Sequence, residues 1–339
     1  MKFLKYLLFL LLIILIGLAI YIAVQPNSFN VKRERVIDAP ASVVYQNVID
    51  FKKWPNWSPW IEREPDLTLN FPEQTSDVGA SYSWEGKDGT GNMKTVGTIL
   101  NESIDQKLQF EDYEPSDILW KFEPTPDGKT NVIWEMKSEK IPFMFKGYAA
   151  FSGGFDKMIG PDFERGLELL DSVSVADTKK YSIEIQGVTE HGGGFYLYNT
   201  TSTKIADIES KMGEFMGRLF AYAQSNNIVM AGAPFANYIS WDEKNGTTTF
   251  SCCYPTTDKV ITTSDEILTG QLEPFKAVKT VLKGNYENLK EAWDKAMAYI
   301  PANGLEFAEN GPMLEVYLTD PSQEPNPANW ITEIYIAVK

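Results

Sequence analysis

Residues 310–339 read NGPMLEVYLTDPSQEPNPANWITEIYIAVK, and two strand-like runs flank a loop rich in Pro and Asn. In the first run Leu314, Val316 and Leu318 alternate with Met313, Glu315 and Tyr317. In the second, Ile334, Ile336 and Val338 alternate with Glu333 and Tyr335. A period of two puts each set on one face of its strand. A half-buried sheet ordinarily shows water a mixture of small polar residues, whereas both runs here repeat Glu-x-Tyr. Two carboxylates and two phenols are therefore expected to line one wall of a cleft, a surface suited to a flat cationic body. A solvated sheet face is the alternative reading of the same pattern.

Outward from this stretch, residues 181–339 read as an internal duplication. Each half has a strand, an amphipathic helix, an Asn-containing turn and two further strands. The first helix carries Ile205, Ile208, Met212, Phe215, Leu219 and Ala223; the second carries Leu289, Trp293, Ala296, Met297 and Ile300. Asn227 and Asn303 mark the two turns. Pairing Pro234 with Pro312 sets Asn237 against Glu315 and Asp242 against Asp320. Duplicated β-α-β-β units are expected to form one α+β domain with a central cleft.

Three segments, LKGNYENLKEAW (282–293), ENGPMLEVYLTDP (309–321) and ITEIYIAV (331–338), resemble the gyrase-inhibitor-like small-molecule-binding family. The fold of that family also serves as the effector-binding domain of AraC-type regulators. The resemblance implies a ligand cleft lined by Glu315, Tyr317, Tyr286 and Trp293, with Glu333 at the acidic position of the last strand; the internal repeat adds Asn237, set against Glu315. Family members bind cationic aromatic drugs, and others are hydrolases of strained cyclopropane compounds. This chain departs from the family pattern at Gly284-Asn285-Tyr286, where Gly-Pro-Tyr is usual. A glutamate among aromatic rings has two uses: ionised, it pairs with a cation; with its pKa raised by burial, it acts as a general acid or base. Glu315 is catalytic only in the second case.

Residues 176–180, Ala-Asp-Thr-Lys-Lys, read as a polar linker to a preceding domain over 31–175. That domain opens with a strand at Val31–Asp38 and a helix from Pro40 to Phe51. WPNWSPWI (54–61) follows as a bent, aromatic-lined loop, because Pro55 and Pro59 break a helix. Strand patterns then occupy 67–71, 80–85, 93–104, 107–113, 118–123 and 131–139, and a helix spans 155–173 with Phe155, Ile159, Phe163, Leu167 and Leu170 on one side. VIDAPASVVYQNVIDFKKWPNWSPW, ILWKFEPTPDGKTNVIWEM and GFDKMIGPDFERGLELLDSV together resemble the START/polyketide-cyclase-like (SRPBCC) superfamily. That resemblance implies a helix-grip fold around an apolar cavity for lipids or other hydrophobic molecules. Trp84, Trp120 and Trp134 stand at strand positions from which they face this cavity or simply fill it. The superfamily shares no catalytic set, so a pocket is implied and not a reaction.

Leu7–Val24 is uncharged and follows Lys2 and Lys5. As a helix it spans about 27 Å, enough for a bilayer core. No small-residue cleavage site precedes Gln25-Pro26, so residues 1–26 are expected to be an uncleaved single-pass anchor. The short charged tail inclines the orientation towards extracytoplasmic domains. Net charge is −15, which repels phosphates and argues against nucleic acid as a partner. Cys252 and Cys253 are adjacent and His191 is the single histidine. No disulfide framework or His-rich metal site is expected, and Asp66, Asp77 and Asp127 lack calcium-loop spacing. Gly192–Gly194 lacks the Lys-Ser/Thr of a phosphate loop, so no cofactor is implied.

The expectation is a membrane-anchored binder of hydrophobic or cationic aromatic small molecules, serving sensing or stress protection. The rivals are a hydrolase acting through Glu315 and lipid binding by the first domain.

Overall fold

The uncharged run after Lys5 folds as a helix, α1 (Lys2–Ala23), in the computed structural model, which describes residues 2–339. Met1, included in the expected anchor, lies outside the described residues. Phe3–Ala23 is long and apolar enough to cross a membrane and is covered by almost no protein. At 1.5 Å per residue it extends about 31 Å, close to a hydrocarbon core. The chain divides between Thr178 and Lys179 into two units, each built on its own antiparallel sheet.

The first unit continues with β1 (Phe29–Ile37), α2 (Ala41–Ile49), α3 (Pro59–Arg63), β2 (Thr68–Asn70), β3 (Ser81–Gly86), β4 (Gly89–Ile99), β5 (Ser103–Phe110), β6 (Ser116–Pro124), β7 (Thr130–Ser138), α4 (Phe143–Ser152) and α5 (Phe155–Thr178). Its sheet runs β1-β7-β6-β5-β4-β3-β2. The expected strand over 93–104 is interrupted, because Asn101 takes a left-handed φ of 59° and closes the β4–β5 turn. The expected linker is corrected as well: Ala176–Thr178 complete the last turn of α5.

The Trp-Pro segment is not a loop. Residues 51–56 form a 3₁₀ helix and α3 follows, with each proline at a position a short helix tolerates. Trp54 and Trp57 turn inward, and their indole N–H groups donate to Val48 O (2.8 Å) and Asn47 O (3.0 Å). Those bonds satisfy the polar edge of each ring in a dry core. Helix α5 lays Phe163, Leu167 and Leu170 against the inner sheet face, where Phe163 stacks on Trp134 at 4.0 Å. This sheet wrapped on a long helix is a helix-grip arrangement.

The second unit comprises β8 (Ser182–His191), β9 (Gly194–Lys204), α6 (Ile208–Ser225), β10 (Phe235–Asp242), β11 (Thr247–Thr256), β12 (Leu268–Leu272), β13 (Phe275–Lys283), α7 (Leu289–Ala302), β14 (Met313–Tyr317) and β15 (Ile331–Ala337). The sheet order is β12-β9-β11-β10-β14-β15-β13-β8. Two β-α-β-β repeats, β9-α6-β10-β11 and β13-α7-β14-β15, meet at the β10–β14 pair. The remaining strands are exchanged, β8 pairing with β13 of the second repeat and β12 with β9 of the first.

The alignment of the repeats differs from the one expected from Pro234 and Pro312. Asn226 and Asn303 are the helix C-caps, each bonding back to a tyrosine carbonyl at 2.8 Å. Asn227 and Gly304 then take the left-handed conformation, φ 54° and 68°. Met230 and Phe307 make equivalent bridges, to Thr256 and Val338. These pairs set Tyr238, and not Asn237, against Glu315. The reason is parity: an error of one residue along a strand turns a side chain to the opposite face.

Truncating Phe163→Ala removes the ring that α5 inserts against Trp134. It should lower the stability of the first unit by about 3–5 kcal/mol, read from denaturant unfolding of the full chain in detergent by tryptophan emission. A loss well under 1 kcal/mol would contradict this account of the core.

Candidate functional site

Helix α6 packs on β9 and β11, and α7 packs on β13, β15 and β8. Strands β10 and β14 run between them, at the middle of the sheet. Glu315 stands at this seam, opposite Ala236 of β10 and Ile334 of β15. Residues in register share a face, so Tyr238 and Tyr317 point to the same helix-bearing side as Glu315.

The Glu315 carboxylate is 3% exposed. Trp293 Nε1 donates to Oε1 at 2.5 Å, while Tyr317 Oη (2.7 Å) and Tyr238 Oη (3.2 Å) donate to Oε2. The surrounding rings are continuous. Tyr238 meets Trp293 edge-on at 5.7 Å, Tyr286 meets Tyr317 edge-on at 5.7 Å, and Tyr286 leans on Trp330 at 4.8 Å. From α6, Met212 Sδ lies 3.9 Å from Tyr317 Oη and 3.4 Å from Cys252 Sγ.

Burial pushes the Glu315 carboxyl above its ordinary 4.5, and the three hydrogen bonds only partly oppose this. Burial together with the nearby carboxylate pushes Tyr238 and Tyr317 upward and Tyr286 to about 12. The phenols are therefore neutral donors at physiological pH. All three partners of the carboxylate are uncharged, so its negative charge is solvated by dipoles alone. Such a group either holds a proton or is completed by a cation.

Of the residues singled out from the sequence, Glu315, Tyr317, Tyr286 and Trp293 come together here. Glu333 does not. It is opposite Val316, so Glu333 and Tyr335 occupy the other face of the sheet. There Glu333 accepts from Tyr335 Oη at 2.6 Å and pairs with Lys279 at 2.7 Å. The single wall of two Glu-x-Tyr pairs is thus split by register. Asn237 also faces away; it pairs with Leu314, and its Oδ1 accepts from the Met313 N–H at 3.4 Å. Tyr238 and Trp330 were not legible as site residues, although a correctly aligned repeat would have pointed to Tyr238.

The first unit holds a separate cavity of about 470 Å³, walled by Trp60, Tyr82, Trp84, Leu108, Trp134, Phe145 and Phe155 among others. Trp84 and Trp134 line it as expected from their strand positions. Trp120 does not: it is fully buried behind Trp134, stacked at 4.3 Å, and donates to Gln106 Oε1 at 3.2 Å. The cavity's polar features include Asp162, which accepts from Trp60 Nε1 at 3.1 Å, and the buried Trp134 Nε1, which has no hydrogen-bond partner among the described residues.

Two family models match the chain. Residues 37–167 match "Polyketide cyclase / dehydrase and lipid transport", and residues 196–339 match "GyrI-like small molecule binding domain". No curated protein matches it. Among solved structures, the EcmrR C-terminal domain is similar at 17% identity and TM-score 0.41, covering 47% of this chain and 98% of that one. SA2116 from Staphylococcus aureus, a protein of unknown function, is similar at 14% identity and TM-score 0.37, covering 46% and 98%. SAV2435 bound to tetraphenylphosphonium is similar at 14% identity and TM-score 0.34, covering 46% and 94%.

A carboxyl raised by folding has a definite linkage sign. Between the unfolded value near 4.5 and the higher folded value, the native state keeps the proton that the unfolded chain has lost, so native stability falls as pH rises through that window. Glu315→Gln does not titrate. Its unfolding midpoint should therefore gain on that of the wild type as pH rises, the gap closing as pH falls towards 4.5. Calorimetry of both full chains across pH checks this; a gap that widens on acidification would reverse the assignment.

Proposed function

We propose that this chain, which carries a domain of the polyketide cyclase and lipid-transport type followed by a GyrI-like small-molecule-binding domain, is a membrane-anchored binder of hydrophobic cationic aromatic compounds, which it sequesters or senses. Helix α1 is the anchor, with the two units on the extracytoplasmic side. The observation that carries the reading is the buried Glu315 carboxylate, bonded among the described residues to the uncharged donors Trp293, Tyr317 and Tyr238. An aromatic cation between α6 and α7 supplies the missing charge, and the faces of Tyr286, Tyr238 and Trp293 supply cation–π contacts. Binding a cation favours the ionised carboxylate, so affinity rises with pH through the raised Glu315 pKa.

The same burial supports a second reading. A carboxyl with an elevated pKa suits general acid or base work, and a hydrolase acting through Glu315 uses the group in that way, with Tyr317 and Trp293 positioning the substrate. In the first unit, the apolar cavity at Trp84 and Trp134 supports binding of a lipid or another hydrophobic molecule.

Equilibrium dialysis of tetraphenylphosphonium against the full chain in detergent distinguishes these uses. Under the binding reading, Glu315→Gln weakens retention at neutral pH by about tenfold or more, and wild-type affinity falls on acidification. Equal affinity in both proteins at all pH values would sink it. Unchanged binding with lost turnover of a hydrolysable substrate identifies the hydrolase. A hydrophobic molecule that co-purifies equally with both proteins, seen by native mass spectrometry, belongs to the first-unit cavity.

A further inference from the structure

Helix α4 has two dissimilar faces. Inward, Lys146, Gly147 and Ala149 are buried, and Phe145 joins Ile141 and Pro142 in the cavity wall. The Phe145 ring meets Tyr113 edge-on at 5.1 Å and Phe110 at 5.9 Å. Outward, Phe143, Met144, Tyr148 and Phe151 are 48%, 75%, 66% and 69% exposed. Met144, Tyr148 and Phe151 follow one another by four and three residues, a single stripe along the helix. A contiguous apolar stripe on an otherwise acidic chain calls for an occupant.

The position of α4 identifies that occupant. Ile22, in the last turn of α1, is 8% exposed because it seats on Gly147, where an added Cβ would lie 3.1 Å from Ile22 Cδ1. Lys146 Nζ donates to Gln25 O at 3.2 Å and to Asn27 Oδ1. These contacts hold α4 level with the end of Phe3–Ala23, the segment apolar enough to cross a membrane. Left-handed Gly153 and Gly154 (φ 89° and 104°) then let the chain turn from α4 into α5 within two residues. Between Glu139 and Asp156 there is no acidic residue and there are two lysines, in a chain of net charge −15. The patch is therefore free of the repulsion that the rest of the surface presents to an anionic membrane.

We propose that α4 is an in-plane anchor that lies in the headgroup layer of the bilayer entered by α1, with Phe143, Met144, Tyr148 and Phe151 among the lipids. Aromatic and long apolar side chains favour that depth, where ring and chain are desolvated while the backbone stays hydrogen-bonded in the helix. The opposite side of α4 is cavity wall, so the cavity is held at the membrane surface. The proposal rests on α1 and α4 and is independent of the role of Glu315.

The test uses the full chain reconstituted into vesicles of phosphatidylcholine and phosphatidylglycerol. Phe151→Cys and Tyr148→Cys are labelled with an environment-sensitive fluorophore; Cys252 and Cys253 are buried and spared. Leu100→Cys is the control, an exposed position beyond Ser103, which lies about 23 Å along β5 from Phe110. Lipids brominated near the carbonyl end of the acyl chain should remove about half the emission at both α4 sites and leave Leu100→Cys unchanged. Equal quenching at α4 and control sites overturns the proposal. So does emission that depends on protein-to-lipid ratio alone, which would place a second copy on the stripe. Chains that fail to stay with the vesicles overturn both the α1 span and the α4 anchor, whereas retention without quenching overturns α4 alone.

Discussion

The pairing of β10 with β14 is the constraint on which the second unit depends. It joins two repeats into one sheet through a short ladder, Phe235 to Val316, Ala236 to Glu315 and Asn237 to Leu314. Each helix covers strands of its own repeat, together with an edge strand lent by the other for α7. The side chains that the register turns towards the helices at the seam are Tyr238, Glu315 and Tyr317, and Trp293 of α7 and Met212 of α6 reach them there. A ladder shifted by one residue would bury Leu314 and Val316 there and leave an apolar groove without a charge.

Two opposing effects meet at Glu315. Desolvation penalises the carboxylate, and three hydrogen bonds compensate part of that cost. Desolvation wins, which leaves a group whose protonation is sensitive to any charge brought near it. On the reverse face Glu333 illustrates the other outcome. Its partner Lys279, at 2.7 Å, also lies over the Tyr335 ring at 5.6 Å, so the charge of Glu333 is already neutralised within the protein. Identical Glu-x-Tyr sequences thus give one ion pair and one buried carboxyl held by uncharged donors.

The first unit solves a different problem. Its sheet must enclose α5 and still leave space, and indole rings set the limits of that space. Trp54, Trp57, Trp120 and Trp134 form a tightly packed wedge of edge-on, tilted and stacked rings, with nearly all their surface removed from water. The cavity begins where the wedge stops, at Trp60, Trp84 and Trp134. Large rigid rings suit this role, since they fill volume with few rotamers and leave the remaining void with fixed walls.

Periodicity in the chain was sufficient for the two α+β units, the duplicated half and the apolar N-terminal helix, because burial of one face leaves its period in the sequence whatever the partner. The alternation singled out Glu315 and Tyr317, whereas Tyr286 and Trp293 were named as site residues through the family resemblance. Helix α4 was not, since FMFKGYAAFS is apolar on nearly every side and carries no one-sided pattern. Strand register, the parity between the repeats and the sorting of Trp120 from Trp134 were decided only by tertiary structure. Each depends on which residue of a distant strand lies opposite, a long-range hydrogen-bonding choice that no local pattern records. That choice separated Glu333 from Glu315 and brought Tyr238 to the carboxylate in place of Asn237.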